Sequence, residues 1–336
     1  MRLSQTLVAA AAALSLTLTA CGGTSSPAAS GGASDATQGS APAEIKIGVV
    51  NYVSHPALDA AQQGFIDALK EAGYEEGKNL TLDLQNATGD QSTLTSIANT
   101  FASSDNDLFY AIATPTAQAL AQVITDKPIV FAAVTDPVAA QLVASWEAPD
   151  GNMTGVSDMN PMDAQVALIK EVMPDVATIG IVYSSGEVNS EVQVKEAEEA
   201  AKAHGISVVT KTVTNSSEVQ QAAQALEADA FLIPTDNTVV SAAESVIQVA
   251  EQKGVPVFAS DENTVGRGAA AGLSVNYTQQ GKDAAALALK MLAGAKASEL
   301  PVETQKNFDL FVNEAAAKAQ GIELPAAVVD RAAKKF

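Results

Sequence analysis

The sequence predicts an α/β protein of two doubly wound parallel-sheet lobes joined by three crossovers, and three observations carry that expectation. Short apolar runs of strand type alternate with segments of helical period from residue 45 onward. Most of these runs end in a short polar loop, which is where open α/β sheets bring their ligands. One stretch, residues 128–161, interrupts and restarts the rhythm. A strand at 129–133 runs into Thr135-Asp136-Pro137, then a short helical pattern, a Gly-Asn turn and a second strand at 154–157 that ends in Asp158. It reads as the end of one lobe and the first crossing into another, with a cleft between them.

The elements follow in order. Residues 45–50 (IKIGVV) have the continuous apolar character of an interior parallel strand. Leu58, Ala61, Phe65, Leu69 and Ala72 recur at helical spacing behind it, and Gly73 stops that helix. A second strand spans 80–84. Asp90 is placed to cap a helix whose packed stripe is Leu94, Ile97, Ala98 and Phe101. The third strand, 108–113, ends at Thr114-Pro115-Thr116, with a helix at 117–124.

In the second lobe a helix at 162–173 is closed by Pro174, and a strand at 178–183 ends in the polar segment 184–190. Helix 191–203 stops at Gly205, followed by strand 206–213, helix 219–226 and strand 230–233. That strand ends at Pro234-Thr235-Asp236-Asn237. Helix 239–253 leads to strand 255–259 and Ser260-Asp261-Glu262-Asn263. Residues 272–277 read as the second crossing, before a helix at 278–292 with Ala285, Leu289 and Leu292 inward. Residues 301–310 cross once more, and 313–319 form a closing helix. Lobe 1 is thus expected at 44–157 and 275–304, lobe 2 at 158–274 and 305–336. Three connections would make their motion a hinge.

Composition narrows the function. The chain has 336 residues, 47% of them hydrophobic and only 4% aromatic, enough for two domains with cores of small and branched side chains. Its formal charge is -20 and no run of Lys or Arg could follow a phosphate backbone, which argues against nucleic acid as a partner. Near the N-terminus, Arg2 precedes an apolar stretch at 7–20 that is too short to span a membrane, and Leu18-Thr19-Ala20-Cys21-Gly22 follows. This resembles the lipobox of bacterial lipoprotein signal peptides, in which the Cys becomes the lipid-bearing first residue.

Residues 1–20 are therefore expected to be a signal peptide and Cys21, the one cysteine, the lipidation site. Residues 21–43, Gly/Ser/Ala-rich with Asp35 alone charged, are expected to be a flexible tether. The domain would then sit at the outer face of the cell membrane, as a monomer.

The polar strand ends point to binding. Only His55 and His204 exist; His204 suits a helix C-terminus and His55 can line the cleft, but no nucleophile motif accompanies them. There is no HExxH, EF-hand spacing, GxGxxG or Walker loop, so no metal, cofactor or enzymatic activity is expected. Thr114, Thr116, Thr135, Asn189, Ser190 and Thr235 offer hydroxyl or amide groups beside helix starts, a combination that can hold a carboxylate. Asp136, Asp158, Asp236, Asp261 or Glu262 can hold an ammonium group. Each can equally cap the helix that follows, and the two roles are compatible. Tyr52, Tyr183 and Tyr277 could stack on a planar ligand; Phe131 reads as core and Trp146 as an outer cover of the sheet.

Longer strings carry a family resemblance. His55-Pro56-Ala57-Leu58-Asp59, Glu76-Gly77-Lys78-Asn79, Gly89-Asp90-Gln91-Ser92, Ala113-Thr114-Pro115 and Ala133-Val134-Thr135-Asp136-Pro137-Val138 are among them. Gly151-Asn152-Met153-Thr154-Gly155-Val156-Ser157-Asp158, Glu187-Val188-Asn189-Ser190 and Pro234-Thr235-Asp236-Asn237 continue the match. Together they resemble the tryptophan/tyrosine-type ABC transporter substrate-binding lipoproteins.

The resemblance implies a type I periplasmic-binding-protein fold, a permease and an ATPase as partners, and an aromatic amino acid, tryptophan foremost, as ligand. It implies ligand positions at Thr114, Thr116, Thr135, Asp136, Ser157, Asp158, Asn189, Ser190, Asp236 and Asn237. Arg267 departs from the pattern and leaves open what the ligand's side-chain end meets. Thr135 and Asp136 are expected to bridge to Asp236 and Asn237 through the ligand, with Asp236→Ala costing affinity more than stability. A ligand sensor of the same fold, or a receptor for a branched-chain amino acid or nucleoside, are the alternatives.

Overall fold

Five of the six strands of the first sheet come first in the chain: β1 (Ile45–Asn51), β2 (Leu80–Asn86), β3 (Leu108–Ile112), β4 (Ile129–Ala132) and β5 (Met153–Ser157). The structure, a computed structural model, describes residues 44–336, so the expected signal peptide, Cys21 and tether lie outside the described residues. Every residue of β3, β4 and β5 is buried, as strands covered on both faces must be. Helices α1 (Pro56–Glu71), α2 (Gln91–Ala102) and α3 (Thr114–Ala121) connect them, and the Asp90 carboxylate accepts the Thr93 amide to cap α2.

The chain then leaves this sheet. Helices α4 (Met162–Val172), α5 (Val188–Ala203), α6 (Val219–Gln224), α7 (Asn237–Ser241), α8 (Ala243–Lys253) and α9 (Glu262–Arg267) alternate with β6 (Thr178–Ser184), β7 (Ser207–Val213), β8 (Ala230–Ile233), β9 (Val257–Ala259) and β10 (Ala271–Ser274). It returns through α10 (Tyr277–Leu292) and β11 (Glu303–Thr304). It crosses back to β12 (Asp309–Val312), α11 (Glu314–Ala319), α12 (Ala326–Asp330) and β13 (Lys334–Lys335).

Two sheets result. The first has the order β2-β1-β3-β4-β5-β11 and is parallel throughout. The second has the order β7-β6-β8-β9-β10-β12-β13, in which only β10 and β12 pair antiparallel. Three connections pass between them, after β5, after β10 and after β11.

Side-chain amides pin these connections. Asn160 donates to the carbonyls of Ser260 and Leu273, each at 3.1 Å, and Gln165 donates to Asn160 Oδ1 and to Leu273 O. Gln280 donates to Ser157 O and accepts the Ala133 amide. Gln305 pairs with both backbone groups of Asn276, tying the second connection to the third.

Several boundaries differ from the sequence expectation. No helix forms after Pro137: Asp136 accepts the amides of Val138 and Ala139, and Gln141, at φ 60°, ends the turn before it can propagate. Helix α3 begins at Thr114 rather than 117, because Ala113, at φ 85°, swings the chain straight from strand into helix and Pro115 suits the first turn. Helix α5 likewise begins at Val188 and takes in Asn189 and Ser190. The helix expected at 239–253 breaks at Ala242, which leaves helical geometry at φ -120°. Ala72 is exposed beyond the end of α1, and α9, α12 and β13 were not anticipated.

Helix α10 is held against α1 by two facing glycines. A Cβ on Gly64 would overlap the carbonyl of Thr278, and one on Gly281 would overlap the carbonyl of Ala61. Neither obstacle is a flexible side-chain end, so neither can step aside cheaply. Gly281→Ala is expected to destabilise the protein by roughly 1–3 kcal/mol through overpacking, measured as a lower midpoint in urea. An unchanged midpoint would mean the helices are free to separate.

Candidate ligand-binding site

Residues that follow β1, β4, β5, β8, β9 and β10 converge on one cavity between the two sheets. Lobe 1 contributes the start of α1, where His55 is extended and Pro56 opens the helix. The first-turn amides of Ala57 and Leu58 have no carbonyl partner within such a helix, and both residues line the space. Lobe 2 contributes Thr235, Asp236, Asn237 and Asp261, and Val240 adds an apolar wall. Asp158 and Tyr277 come from the connections themselves. The charged side chains that line the cavity are all acidic.

Asp158 is fully enclosed and its carboxylate is shared between lobe and hinge: Thr135 Oγ1 donates to it at 2.9 Å and the Tyr277 hydroxyl at 2.8 Å. Burial pushes the Asp158 carboxyl above its ordinary range against those two hydrogen bonds. Burial, with the nearby carboxylates of Asp158 and Asp261, also pushes the Tyr277 hydroxyl well up.

Asp236 is equally buried, but its oxygens are occupied within lobe 2. It accepts the amides of Ser184 and Val239 and the hydroxyl of Ser190. Beside it Glu187, 2% exposed, accepts the amides of Asn237 and Thr238, the Thr238 hydroxyl and the side-chain amides of Asn189 and Asn237. Two carboxylates therefore satisfy the whole first turn of α7. Burial and the Glu187 charge raise Asp236 to about 7.

Two polar atoms on the cavity wall have no partner. Asp261 caps α9 through Oδ1, which accepts the Thr264 amide at 2.9 Å, and its Oδ2 is free. His55 Nε2 lies 3.4 Å from Asn237 Oδ1 across the cleft, and its Nδ1 is free. Burial lowers the His55 pKa. The Thr135 and Thr235 hydroxyls, 3.5 Å apart, make a second contact between the lobes.

The residues singled out in the sequence thus separate into groups. Asp158, Asp236, Asn237 and Asp261 line the cavity. Thr135, Ser157, Asn189 and Ser190 lie behind them: Ser157 donates to Thr135 O, Ser190 to Asp236 and Asn189 to Thr235 O. Thr116 spends its hydroxyl on Ile112 O, and Thr114 keeps a buried, unpartnered hydroxyl at the start of α3, off the cavity wall.

Three expected positions point elsewhere. Asp136 caps its own turn, and Tyr183 packs on the lobe 2 core. Tyr52 donates to Gly89 O at 3.3 Å and faces a separate polar groove between the lobes, its hydroxyl raised to about 12 by burial and then by Glu187 and Asp236. Arg267 stays off the wall as well. Glu244 takes its guanidinium in a two-point ion pair and Val240 O takes the third bond.

Leu58 and Val240 escaped the sequence reading because their helical spacing looks like ordinary core. The available signal was position: each sits in the first turn of a helix that follows a strand end.

A family model described as ABC transporter substrate binding protein matches residues 46–336. The chain belongs to this family. A tyrosine-binding protein of Clostridioides difficile is 42% identical over 275 residues, 81% of this chain and 80% of the relative. Among solved structures, an ABC domain in complex with L-Trp from Streptococcus pneumonia is 35% identical with a TM-score of 0.85, covering 88% of this chain and all of that one. The ligand-free, open structure of a substrate-binding protein with adhesive properties from Clostridium difficile is 40% identical, with a TM-score of 0.66 over 87% of this chain and 99% of that one.

The substrate-binding protein described here superposes better on the liganded relative than on the open one despite the lower identity. Its lobes touch at His55–Asn237 and Thr135–Thr235.

The hydrogen bonds of Asp236 reverse the expectation for its removal. Asp236→Ala strips acceptors from two buried amides and a hydroxyl, so it should cost roughly 2–4 kcal/mol of stability whether or not ligand is present. Because folding raises the Asp236 pKa to about 7 from about 4 in the unfolded chain, the folded state holds a proton that the unfolded state has released. Stability from this group is therefore present at low pH and lost as pH rises from about 4 to about 7. Chemical unfolding of the unliganded protein at pH 5 and pH 8 should show a fall that Asp236→Asn flattens; an equal fall in the variant would assign the slope to other groups.

Proposed function

We propose that this substrate-binding protein is the extracytoplasmic receptor of an ABC importer for an aromatic amino acid, tryptophan foremost, which it encloses between its lobes and hands to a permease driven by an ATPase. The observation that carries the reading is the convergence of both lobes on one interlobe cavity, lined by Asp158, Asp236 and Asp261 together with Leu58, Val240 and Tyr277. An ammonium group suits the acidic lining, and a flat ring suits the apolar wall. The tyrosine-binding relative and the L-Trp complex support the same ligand class.

No bond is broken in this function. A ligand that touches both lobes binds the closed state more tightly than the open one and shifts the equilibrium by that difference. The permease can then distinguish a loaded receptor from an empty one by its shape. Cys21 would carry the lipid that keeps the monomeric receptor at the outer face of the membrane, and residues 21–43 would be the tether. Among the described residues no helix is long and apolar enough to cross a membrane.

Thermal unfolding of the purified protein should rise with L-Trp, L-Tyr or L-Phe and stay unchanged with leucine, isoleucine or nucleosides. Ligand at about a hundred times its dissociation constant adds about 2.7 kcal/mol. Stabilisation by an aliphatic amino acid or a nucleoside, with none by the aromatic set, would refute the ligand class. Incorporation of labelled palmitate should depend on Cys21, and an acylated Cys21→Ala protein would refute the anchor.

A further inference from the structure

The two unpartnered atoms on the cavity wall are of the same chemical kind. Asn237 donates through Nδ2 to Glu187 at 2.6 Å, so its Oδ1 is the atom that faces His55. The contact with Oδ1 requires a hydrogen on His55 Nε2. In the neutral ring this tautomer, assigned from the hydrogen-bond network, leaves Nδ1 as a lone pair. Asp261 Oδ2 is a lone-pair acceptor as well. A buried acceptor without a donor is costly, and here two share one cavity, one on each lobe.

The charges that act on His55 are those of Asp59, Glu187 and Asp261, all negative, and burial keeps the ring neutral against them. What is missing is a donor with several N–H bonds and a positive charge. Immediately beyond His55, the amides of Ala57 and Leu58 open a helix of 16 residues and are the opposite kind of group, donors without acceptors. An α-amino acid carries its ammonium and carboxylate on one carbon, so adjoining acceptors and donors are what its head group requires.

We propose that the ligand's ammonium group is held between His55 Nδ1 on lobe 1 and Asp261 Oδ2 on lobe 2, with its carboxylate on the amides of Ala57 and Leu58. This rests on the amino-acid reading above and deepens it by naming His55 as a head-group contact. The ammonium is then the tie that joins the lobes, and a ligand that lacks it leaves both acceptors unsatisfied.

The test compares two His55 variants of the full chain by calorimetric titration with L-Trp and with indole-3-propionate, which lacks the ammonium. His55→Phe keeps a ring and removes the acceptor; His55→Asn restores an oxygen near the Nδ1 position. His55→Phe should weaken L-Trp binding about tenfold or more, leave indole-3-propionate unchanged, and be largely rescued in His55→Asn. Equal affinity of wild type and His55→Phe for L-Trp, or equal loss in both variants, would overturn the proposal.

If His55→Phe fails to fold, ring nitrogen-15 resonances of the wild type decide. The chain has only two histidines. The His55 Nδ1 signal should shift on saturation with L-Trp while remaining unprotonated, and an unmoved or protonated Nδ1 would overturn the assignment. Should no aromatic amino acid bind, the aromatic reading fails by itself. The nitrogen measurement then uses whichever of the other amino acids binds, and binding by none of them overturns the head-group assignment too.

Discussion

The Asp158 carboxylate is the group on which hinge and site both depend. It stands on the first connection between the sheets, accepts one hydrogen bond from Tyr277 on the second connection and another from Thr135 at the end of lobe 1, and still faces the cavity. A buried carboxylate is costly unless its lone pairs are met. Meeting them here fixes where the connecting strands lie relative to β4. Ser157 extends the tie by donating to Thr135 O, and Gln280 extends it by bridging Ser157 O to the Ala133 amide. The connections are therefore a hydrogen-bonded unit, and hinge motion must pivot around them without opening them.

Lobe 2 solves a related problem at its strand ends. The short helix α7 has little length over which to spread its unpaired amides, and it meets them with two acids, Asp236 as its own cap and Glu187 from the end of β6. The consequence for function is indirect. With their oxygens committed to the protein, these acids give the floor of the cavity its shape and negative charge, while the free lone pairs belong to His55 and Asp261. Polar residues at the carboxyl ends of strands serve the backbone first, and ligand contact falls to the few with capacity left over.

That ordering explains what was legible in the sequence. The strands β1 to β10 were, because parallel strands covered on both faces leave apolar runs such as residues 45–50 and 230–233, whereas the short strands β11, β12 and β13 were not. The two-lobed α/β architecture and the family followed from the same runs and from strings such as those at 151–158. Helix starts were less legible. Ala113 and Glu187 carry no capping signature, so α3 and α5 begin earlier than their polar segments imply, and Asn189 and Ser190 prove to be first-turn residues. The sequence marks Asp136 and Asp261 alike as polar residues at strand ends. Only the fold shows that one caps an outward turn with both its bonds to Val138 and Ala139, while the other keeps an oxygen for the cavity.

The charge of the cavity bears on the balance between closed and open arrangements. Polar contact between the lobes at the site includes two long approaches, 3.4 Å and 3.5 Å, each near the outer limit of a hydrogen bond. Against them stand Asp158, Asp236 and Asp261, carboxylates enclosed together by closure, with burial already pushing the first two upward in pKa. Opening returns water to these groups, so the unliganded protein has a built-in force toward the open state. A cation placed among them removes that force and adds contacts to both lobes. On the proposed head-group assignment, a positively charged group therefore favours closure. The apolar wall of Leu58 and Val240, which offers no such charge compensation, is left to sort one side chain from another.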